Sequence, residues 1–464
     1  MVPDEASGAT VAARDGAGDG GTVVPRAVPQ PRTVEPTPVA VAPLTATSTD
    51  RPSFLRTRVP ATTAVAGFAL IATGMERPLY QALTLGTLVA VALLPVWWRS
   101  TRMFHDARTL LLLTGVAIAV GLWLTELASQ DHHTTTRMAV NGVIVLLNAV
   151  LGACVVMWAR TRMSDGAVAS LFGFGMLLGI DRGGRFAESP WRFGFAIPLT
   201  VLLLGLAWLS RKGWLQVVMA LALAGMSAIN GGRSTAAMLL LAAVITMQQV
   251  AWRRRGSKVA SRARAVVLVG GLCVALYYLG QAAILDGYLG KDAQERTQEQ
   301  IALSGSLIAG ARPEFGATEA LVEHRPYGFG VGVMPNTQDL LEAKSGMAAL
   351  RYNPDNGYVE RYMFGSGIEL HSTAADLWAA FGFAGVAVAL YAVWIVLRGY
   401  TLAFSRHAAS ALLTYLAIRT LWNVLFSPLS SSVVLFALAV GLLVVRRADP
   451  HDRASADAAR AVTA

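Results

Sequence analysis

The chain has 464 residues, of which 54% are hydrophobic and 15% charged, with a formal net charge of +10. Length alone would allow about three soluble domains, but this much apolar sequence overrides that prior. The positive charge does not mark a nucleic-acid binder either. Lys and Arg fall in short clusters between apolar runs, not in one stripe interleaved with aromatics.

The expected fold is an all-α polytopic membrane protein. A hydrocarbon crossing takes roughly 20 mostly apolar residues, and in lipid each segment must satisfy its own backbone. Residues 1–58 are rich in Pro, Gly, Ala and Thr and contain no apolar run long enough for a signal peptide. They bury too little surface to offset the entropy of ordering, and read as a disordered cytoplasmic tail. Twelve spans follow, at 59–75, 79–98, 109–128, 138–158, 166–181, 193–210, 214–229, 235–251, 265–285, 374–397, 408–426 and 430–445. The first nine thus occupy 59–285, an extracytoplasmic loop covers 286–373, and the last three lie within 374–447. The first, fifth and last are short, and one of them could be re-entrant. Residues 448–464 read as a second cytoplasmic tail.

Orientation follows from the basic residues. Arg51, Arg56 and Arg58 precede the first span, and Arg99, Arg102 and Arg108 follow the second. Arg160 and Arg162 follow the fourth, and Arg211 and Lys212 the sixth. The strongest cluster, Arg253 to Arg255 with Lys258, Arg262 and Arg264, follows the eighth. Arg398 and Arg406 follow the tenth, Arg446 and Arg447 the twelfth. Every even-numbered exit is basic, which places both termini in the cytoplasm. Trp97, Trp98, Trp158, Trp208 and Trp252 then mark the cytoplasmic edge as an aromatic belt. Cys154 and Cys273 fall inside apolar segments and read as small packing residues, not as a disulfide framework.

No Walker A pattern, zinc-ligand spacing or serine-nucleophile elbow occurs. The glycines of PYGFGVG (Pro326 to Gly332) lack the strand–helix frame of a dinucleotide loop. Four other residues could carry chemistry. Arg233 closes the turn NGGRST (Asn230 to Thr235), where Ser234 and Thr235 are expected to cap the eighth helix. An arginine beside a helix N-terminus suits a phosphate group, or simply snorkels to the interface. Arg312, in GARPEF (Gly310 to Phe315), precedes a helix expected from Glu314 to His324 and a glycine-rich turn back to the membrane. Taken alone it reads as a solvated charge, and His324 as a loop histidine. His371 opens HSTAADLWAAFGFAGVAV at the start of the tenth span. Its side-chain type suits proton transfer near neutral pH, or marks the interface. Arg419 lies inside the eleventh span with Asn423 on the same face. A central arginine costs about 2.5–3.5 kcal/mol to insert, so it must find a partner. Asp376, Glu369 and an anionic ligand are the candidates.

Together these stretches resemble the O-antigen ligase and polymerase family of bacterial glycan enzymes, from about residue 165 to the C-terminus. NGGRST resembles the family's outer turn of Ser-Arg and a small residue. Arg312 with PYGFGVG resembles its arginine, short helix and Pro-x-Gly-x-Gly loop. HSTAADLWAAFGFAG resembles the start of the helix after the long loop. The chain departs at Ser372, where the family usually has Asn, and at Asn230 and Gly232, where a Ser before the arginine is common. The resemblance implies transfer of a glycan from a polyprenyl diphosphate carrier to a glycan, lipid or protein acceptor, with inversion and without metal, cofactor or nucleotide sugar. It assigns the diphosphate to Arg233 and Arg312, with Arg419 a third cation, and activation of the acceptor hydroxyl to His371. The setting is the outer face of a bacterial cytoplasmic membrane, among membrane lipids and with no nucleic acid. The alternatives are a transporter or flippase for a lipid-linked glycan, and a sensor or assembly scaffold indifferent to these side chains.

Overall fold

The computed structural model describes residues 60–255, 270, 271, 294, 295, 298 and 312–447, all within the unit Arg58–Ala464. The ninth span, Cys273, most of the 286–311 stretch, both tails and Lys258, Arg262 and Arg264 lie outside the described residues.

The chain enters helix α1 (Ala61–Met75) and leaves it through Glu76 in the left-handed conformation. A short antiparallel pair follows, β1 (Pro78–Tyr80) and β2 (Leu83–Thr84). The expected span 79–98 is therefore not one helix. Thr84 caps α2 (Leu85–Ala92) through a reciprocal capping box with Thr87, and α3 (Leu94–Ser100) starts afresh with Pro95 in its first turn. Proline has no N–H to donate and clashes with the preceding turn, so it is tolerated only at such a start.

The other expected spans that fall on described residues each correspond to one helix within a few residues, except that the tenth runs on to Ser405. They are α4 (Ala107–Ala128), α5 (Thr136–Ala159), α6 (Asp165–Leu178), α7 (Ala196–Leu209, preceded by a π-turn at Trp191–Phe195), α8 (Gly213–Ile229) and α9 (Arg233–Arg254). In the stretch between α9 and the later spans, α10 (Glu314–His324) has the bounds expected of it, and α11 (Thr337–Ala349) follows. Then come α12 (Thr373–Ser405), α13 (Ala411–Phe426) and α14 (Leu429–Leu443). Among the described residues five helices are long and apolar enough to cross a membrane, and five shorter apolar helices of 14 to 17 residues accompany them. The architecture is that of an α-helical membrane protein.

One large core joins α5, α14, α1, α6, α12 and α13, built around Trp97, Phe104, Trp158, Phe172, Phe381, Phe404 and Tyr415. Trp97 and Trp158 are buried in it, so they do not form a belt; the Trp97 indole donates to the Ala90 carbonyl at 2.7 Å. Trp98 remains exposed. Basic residues near this end have specific work. Arg160 pairs with Asp165 at 2.9 Å and donates to the last carbonyls of α14, Gly441 and Val444. Arg398 pairs with Asp106 at 2.6 Å. Cys154 is buried with a free thiol, as a packing residue should be.

A second, smaller core lies at the opposite end of the bundle, where Ala317, Leu321, Phe329, Ala343, Met347, Val359, Met363 and Trp378 pack together. It fixes α10, α11 and the following loop onto α4 and the start of α12. The glycine-rich stretch makes that junction. Gly328, Gly330 and Gly332 all have φ near +90° to +110°, a region that L side chains rarely adopt. A Cβ on Gly330 would strike the Thr125 backbone, and one on Gly332 would lie 2.6 Å from the Ala139 nitrogen. The stretch can therefore run backbone-against-backbone. Val331 N–H donates to the Gly121 carbonyl, and Thr125 Oγ1 donates to the Val331 carbonyl. Helix α12 opens to receive it: Gly382 has non-helical φ 59° and ψ −152°, and the Ala379 carbonyl accepts from both Phe329 and Gly330 N–H at 2.9 Å.

Candidate functional site

Three of the four residues singled out by the sequence lie on or beside the chain segments around the C-terminal end of α13. Arg312 immediately precedes α10, whose first residue is Glu314. Its guanidinium sits 5.6 Å from the Phe426 ring centroid and 6.0 Å from that of Trp422, both on the last turn and a half of α13. Phe315 packs edge-on against the same Phe426 at 5.6 Å. Arg312 is thus held by aromatic faces, a placement worth about 0.5–2 kcal/mol depending on desolvation. Among the described residues it has no ion-pair partner.

His371 is not in a helix, contrary to the expectation that it opens the tenth span. Its φ is 56°, one residue before the N-cap Ser372. The left-handed region is uncommon for non-glycine residues, though histidine visits it more than most. The surroundings hold it there. Ser372 accepts from Ala375 N–H as a cap and donates its own hydroxyl to the Val424 carbonyl at 2.9 Å. Serine and asparagine are both strong N-caps, so Ser372 fills the capping role its position requires. Thr373 donates to the Ser427 carbonyl at 2.9 Å. Asp376, buried, accepts from Leu370 N–H at 2.6 Å through Oδ1 and from Leu429 N–H at 2.7 Å through Oδ2. One carboxylate therefore ties the strand leading into His371 to the first residue of α14.

That geometry removes both protein partners suggested for Arg419. Asp376 is occupied by two backbone amides, and Glu369 accepts from the Ser430 hydroxyl at 3.2 Å. Among the described residues the buried Arg419 Nε has no hydrogen-bond partner. The same holds for Tyr415 OH and Asn423 Oδ1, one helical turn to either side. Tyr415 and Asn423 are 0% and 4% exposed. These three polar atoms lie along α13 toward Trp422 and Phe426.

Arg233 stands apart. It is exposed at the first position of α9, whose N-cap is Gly232 rather than a hydroxyl residue. Ser234 and Thr235 therefore lie inside the first turn and do not cap it. The turn is closed by Gly231 at φ 72°, by Gly232 N–H donating to the Ser227 carbonyl at 2.7 Å, and by the Asn230 side-chain amide donating to the Met226 carbonyl at 2.8 Å. Helix α9 packs along α13, but among the described residues no hydrogen bond or ion pair joins Arg233 to Arg312, His371 or Arg419.

Residues the sequence did not single out complete the site. Tyr358 lies at its centre: its ring is 6.0 Å from the His371 ring, 5.5 Å from Tyr362 and 6.1 Å from Tyr352. Its hydroxyl donates to Glu314 Oε1 at 2.5 Å. Burial, and then the Glu314 carboxylate, push the Tyr358 phenol well above its ordinary range, so it remains a donor. His371 Nδ1 and Glu314 Oε2 are buried without a hydrogen-bond partner. The segment after Tyr358 is a π-turn, Val359–Met363, a rare geometry that recurs at functional sites.

Beside the site a charged clasp fastens α10 and α11 to the α4–α5 turn. His132 is buried with Nε2 2.8 Å from Asp339 and Nδ1 2.7 Å from Asp131, which pairs with Arg325 at 2.8 Å. The Arg325 guanidinium, hydrogen-bonded to Asp131, holds that carboxyl at about 2, well below the usual range.

No family model, curated protein or solved structure matches the chain. The class defined by fold and site is thus an α-helical membrane protein with an arginine- and histidine-bearing site at one end of its bundle, and the reading of its chemistry rests on the residues themselves.

Proposed function

We propose that the protein transfers a polyprenyl-diphosphate-linked glycan to an acceptor hydroxyl at the outer face of a bacterial cytoplasmic membrane, as a member of the O-antigen ligase and polymerase type. In this reading twelve spans cross the membrane, both termini are cytoplasmic, and the stretch between the ninth and tenth spans is extracytoplasmic. The observation that carries it is the meeting of Arg312 with the end of α13 and of His371 with the same end, through Ser372 and Val424. A cation, a proton acceptor and an arginine on the connecting helix whose buried Nε has no partner among the described residues suit a reaction with an anionic leaving group.

The transfer would proceed by direct displacement. The acceptor oxygen forms a bond to the anomeric carbon as the bond from that carbon to the diphosphate oxygen breaks, inverting the centre. The polyprenyl diphosphate leaves with the electron pair, and the acceptor proton passes to His371 and on to solvent. Arg312 stabilises the charge gathering on the leaving diphosphate; as an arginine it stays charged and binds phosphate oxygens in a fork. Arg419 would be a third cation for the diphosphate. Arg233 would bind the diphosphate from the α9 side.

Carrier-lipid analysis of a deletion strain tests this. Single repeat units accumulating on the outer leaflet support a polymerase, and full-length carrier-linked chains there support a ligase. Accumulation on the inner leaflet supports a flippase and contradicts the proposal.

A further inference from the structure

We propose that the tyrosine cluster beside His371 is a binding site for an uncharged sugar ring, which packs on Tyr362 and gives a hydroxyl hydrogen bond to Glu314 Oε2. The choice of a sugar rests on the glycan-transfer reading above; the location of the site does not.

Two independent features mark the place. Glu314 is only 8% exposed, and its Oε1 is taken by Tyr358 while Oε2 is buried and unpartnered. Leaving a buried carboxylate oxygen without a donor is unfavourable, so this position suits a ligand hydroxyl. Tyr358, bonded to the other carboxylate oxygen, has Tyr352, Tyr362 and His371 as its ring neighbours. Tyr362 is 62% exposed although it lies against Tyr358, so aromatic surface is open at the edge of this cluster. A sugar ring supplies what both features lack. Its axial C–H groups present an apolar face to an aromatic ring, and its rim carries hydroxyl donors that a carboxylate accepts.

Charge sorts the ligand's two ends. Arg312 lies close enough to Tyr358 for its charge to act on the phenol, and it offers the anion site. Glu314 repels an anion, so a phosphate cannot settle at the tyrosines, and the neutral ring is directed there. The nearby Lys344 does not compete for Glu314, being paired with Glu360 at 2.6 Å and with Asp355 at 3.4 Å. Tyr358 neighbours both Tyr362 and His371, so the ring's seat and the proposed base belong to one cluster.

The test uses the full-length protein in lipid nanodiscs. The probe is the host's own repeat-unit oligosaccharide, released from its carrier by mild acid and therefore free of lipid and diphosphate. Saturation-transfer NMR and titration calorimetry are expected to show saturable binding to the wild type, with Kd at least fivefold weaker in Tyr362→Ala. Tyr362→Phe, which keeps the face, should stay within twofold. Glu314→Gln keeps an oxygen acceptor and should weaken binding no more than about threefold, whereas Glu314→Ala should weaken it at least tenfold. Tyr362 is a surface residue, so its substitutions leave both cores intact, and equal melting temperatures confirm that. Absence of saturable binding to the wild type, or Tyr362→Ala binding like the wild type, overturns the proposal. So does loss of all binding in Glu314→Gln, since a neutral hydroxyl donor does not need the full negative charge. Sugar binding that depends on Tyr362 in a preparation that never transfers glycan upholds this site and sinks the transfer reading. Transfer that proceeds while Tyr362→Ala and Glu314→Ala bind and transfer like the wild type does the reverse.

Discussion

Asp376 touches neither proposed substrate, yet its loss should dismantle the geometry that holds His371. Its two carboxylate oxygens accept from Leu370 N–H at 2.6 Å and from Leu429 N–H at 2.7 Å, in a buried position. A buried hydrogen bond contributes about 0.5–1.5 kcal/mol net, so Asp376→Ala should release about 1–3 kcal/mol of local stabilisation before relaxation. Asp376→Asn retains one acceptor oxygen and turns an NH2 toward the other amide, so it should lose at least one of the two bonds. Local opening reads this directly. Every 1.4 kcal/mol is tenfold in an equilibrium constant, so the lower bound corresponds to about fivefold faster amide exchange. Exchange mass spectrometry of peptides covering 366–372 and 427–432, with the protein in nanodiscs, should show both segments accelerating together in Asp376→Ala. Asp376→Asn should fall between the variant and the wild type. If both segments stay within threefold of wild type in Asp376→Ala, the carboxylate does not couple these chain ends, and its role as a positioning residue is wrong.

Arg312→Lys should transfer glycan poorly despite keeping the charge, because an ammonium cannot reproduce the bidentate fork; His371→Gln should sit nearer His371→Ala than wild type, since removing a general base typically costs about 10²–10⁴-fold in rate. Product analysis by mass spectrometry checks both, and near-normal rates in either would refute the role assigned. Asp131 has its carboxyl lowered to about 2 by Arg325, so the stability it contributes is present above the ordinary carboxylate pKa near 4 and is lost as pH falls through about 2. The pair is half-exposed, which limits it to about 1 kcal/mol; melting curves between pH 5 and 2 should lose that component in Arg325→Gln, and an unchanged profile would contradict the clasp. Ser345→Cys, exposed on α11, should react with a membrane-impermeant maleimide in intact cells when Cys154 and Cys273 are replaced by alanine, and labelling only after lysis would invert the orientation.

The sequence carried most of the helices, because apolar runs bounded by charge clusters leave little choice in lipid. Helix α10 was legible to its ends, with Pro313 setting its start and the glycine-rich turn stopping it. The break in the second span was not read, although Pro78 and Pro95 were visible signals, because the apolar run continues past both. The start of α9 was misplaced by reading Ser234 and Thr235 as caps, where backbone bonds at Gly231 and Gly232 close the turn. Arg312 and His371 were singled out one by one, by a chemical type suited to the proposed reaction. Their neighbours were not, since Tyr358 meets Glu314 across 44 residues, Asp376 meets Leu429 across 53, and His132 meets Asp339 across 207. No local periodicity encodes such pairings. A carboxylate three residues into a helix, as Asp376 is in α12, reads as a cap or dipole partner, and only the fold shows that it clamps two chain ends.

The central claim is that a carrier-linked glycan is transferred at the site formed by Arg312 and His371. Purified full-length protein in nanodiscs, given the host's polyprenyl-diphosphate-linked glycan and its acceptor, tests that claim directly by quantifying new glycosidic product and free polyprenyl diphosphate together. The account predicts one polyprenyl diphosphate released per linkage formed, with product lost in Arg312→Ala and His371→Ala at wild-type melting temperature. Donor that stays intact with the wild-type protein, or both alanine variants forming product at the wild-type rate, would contradict it.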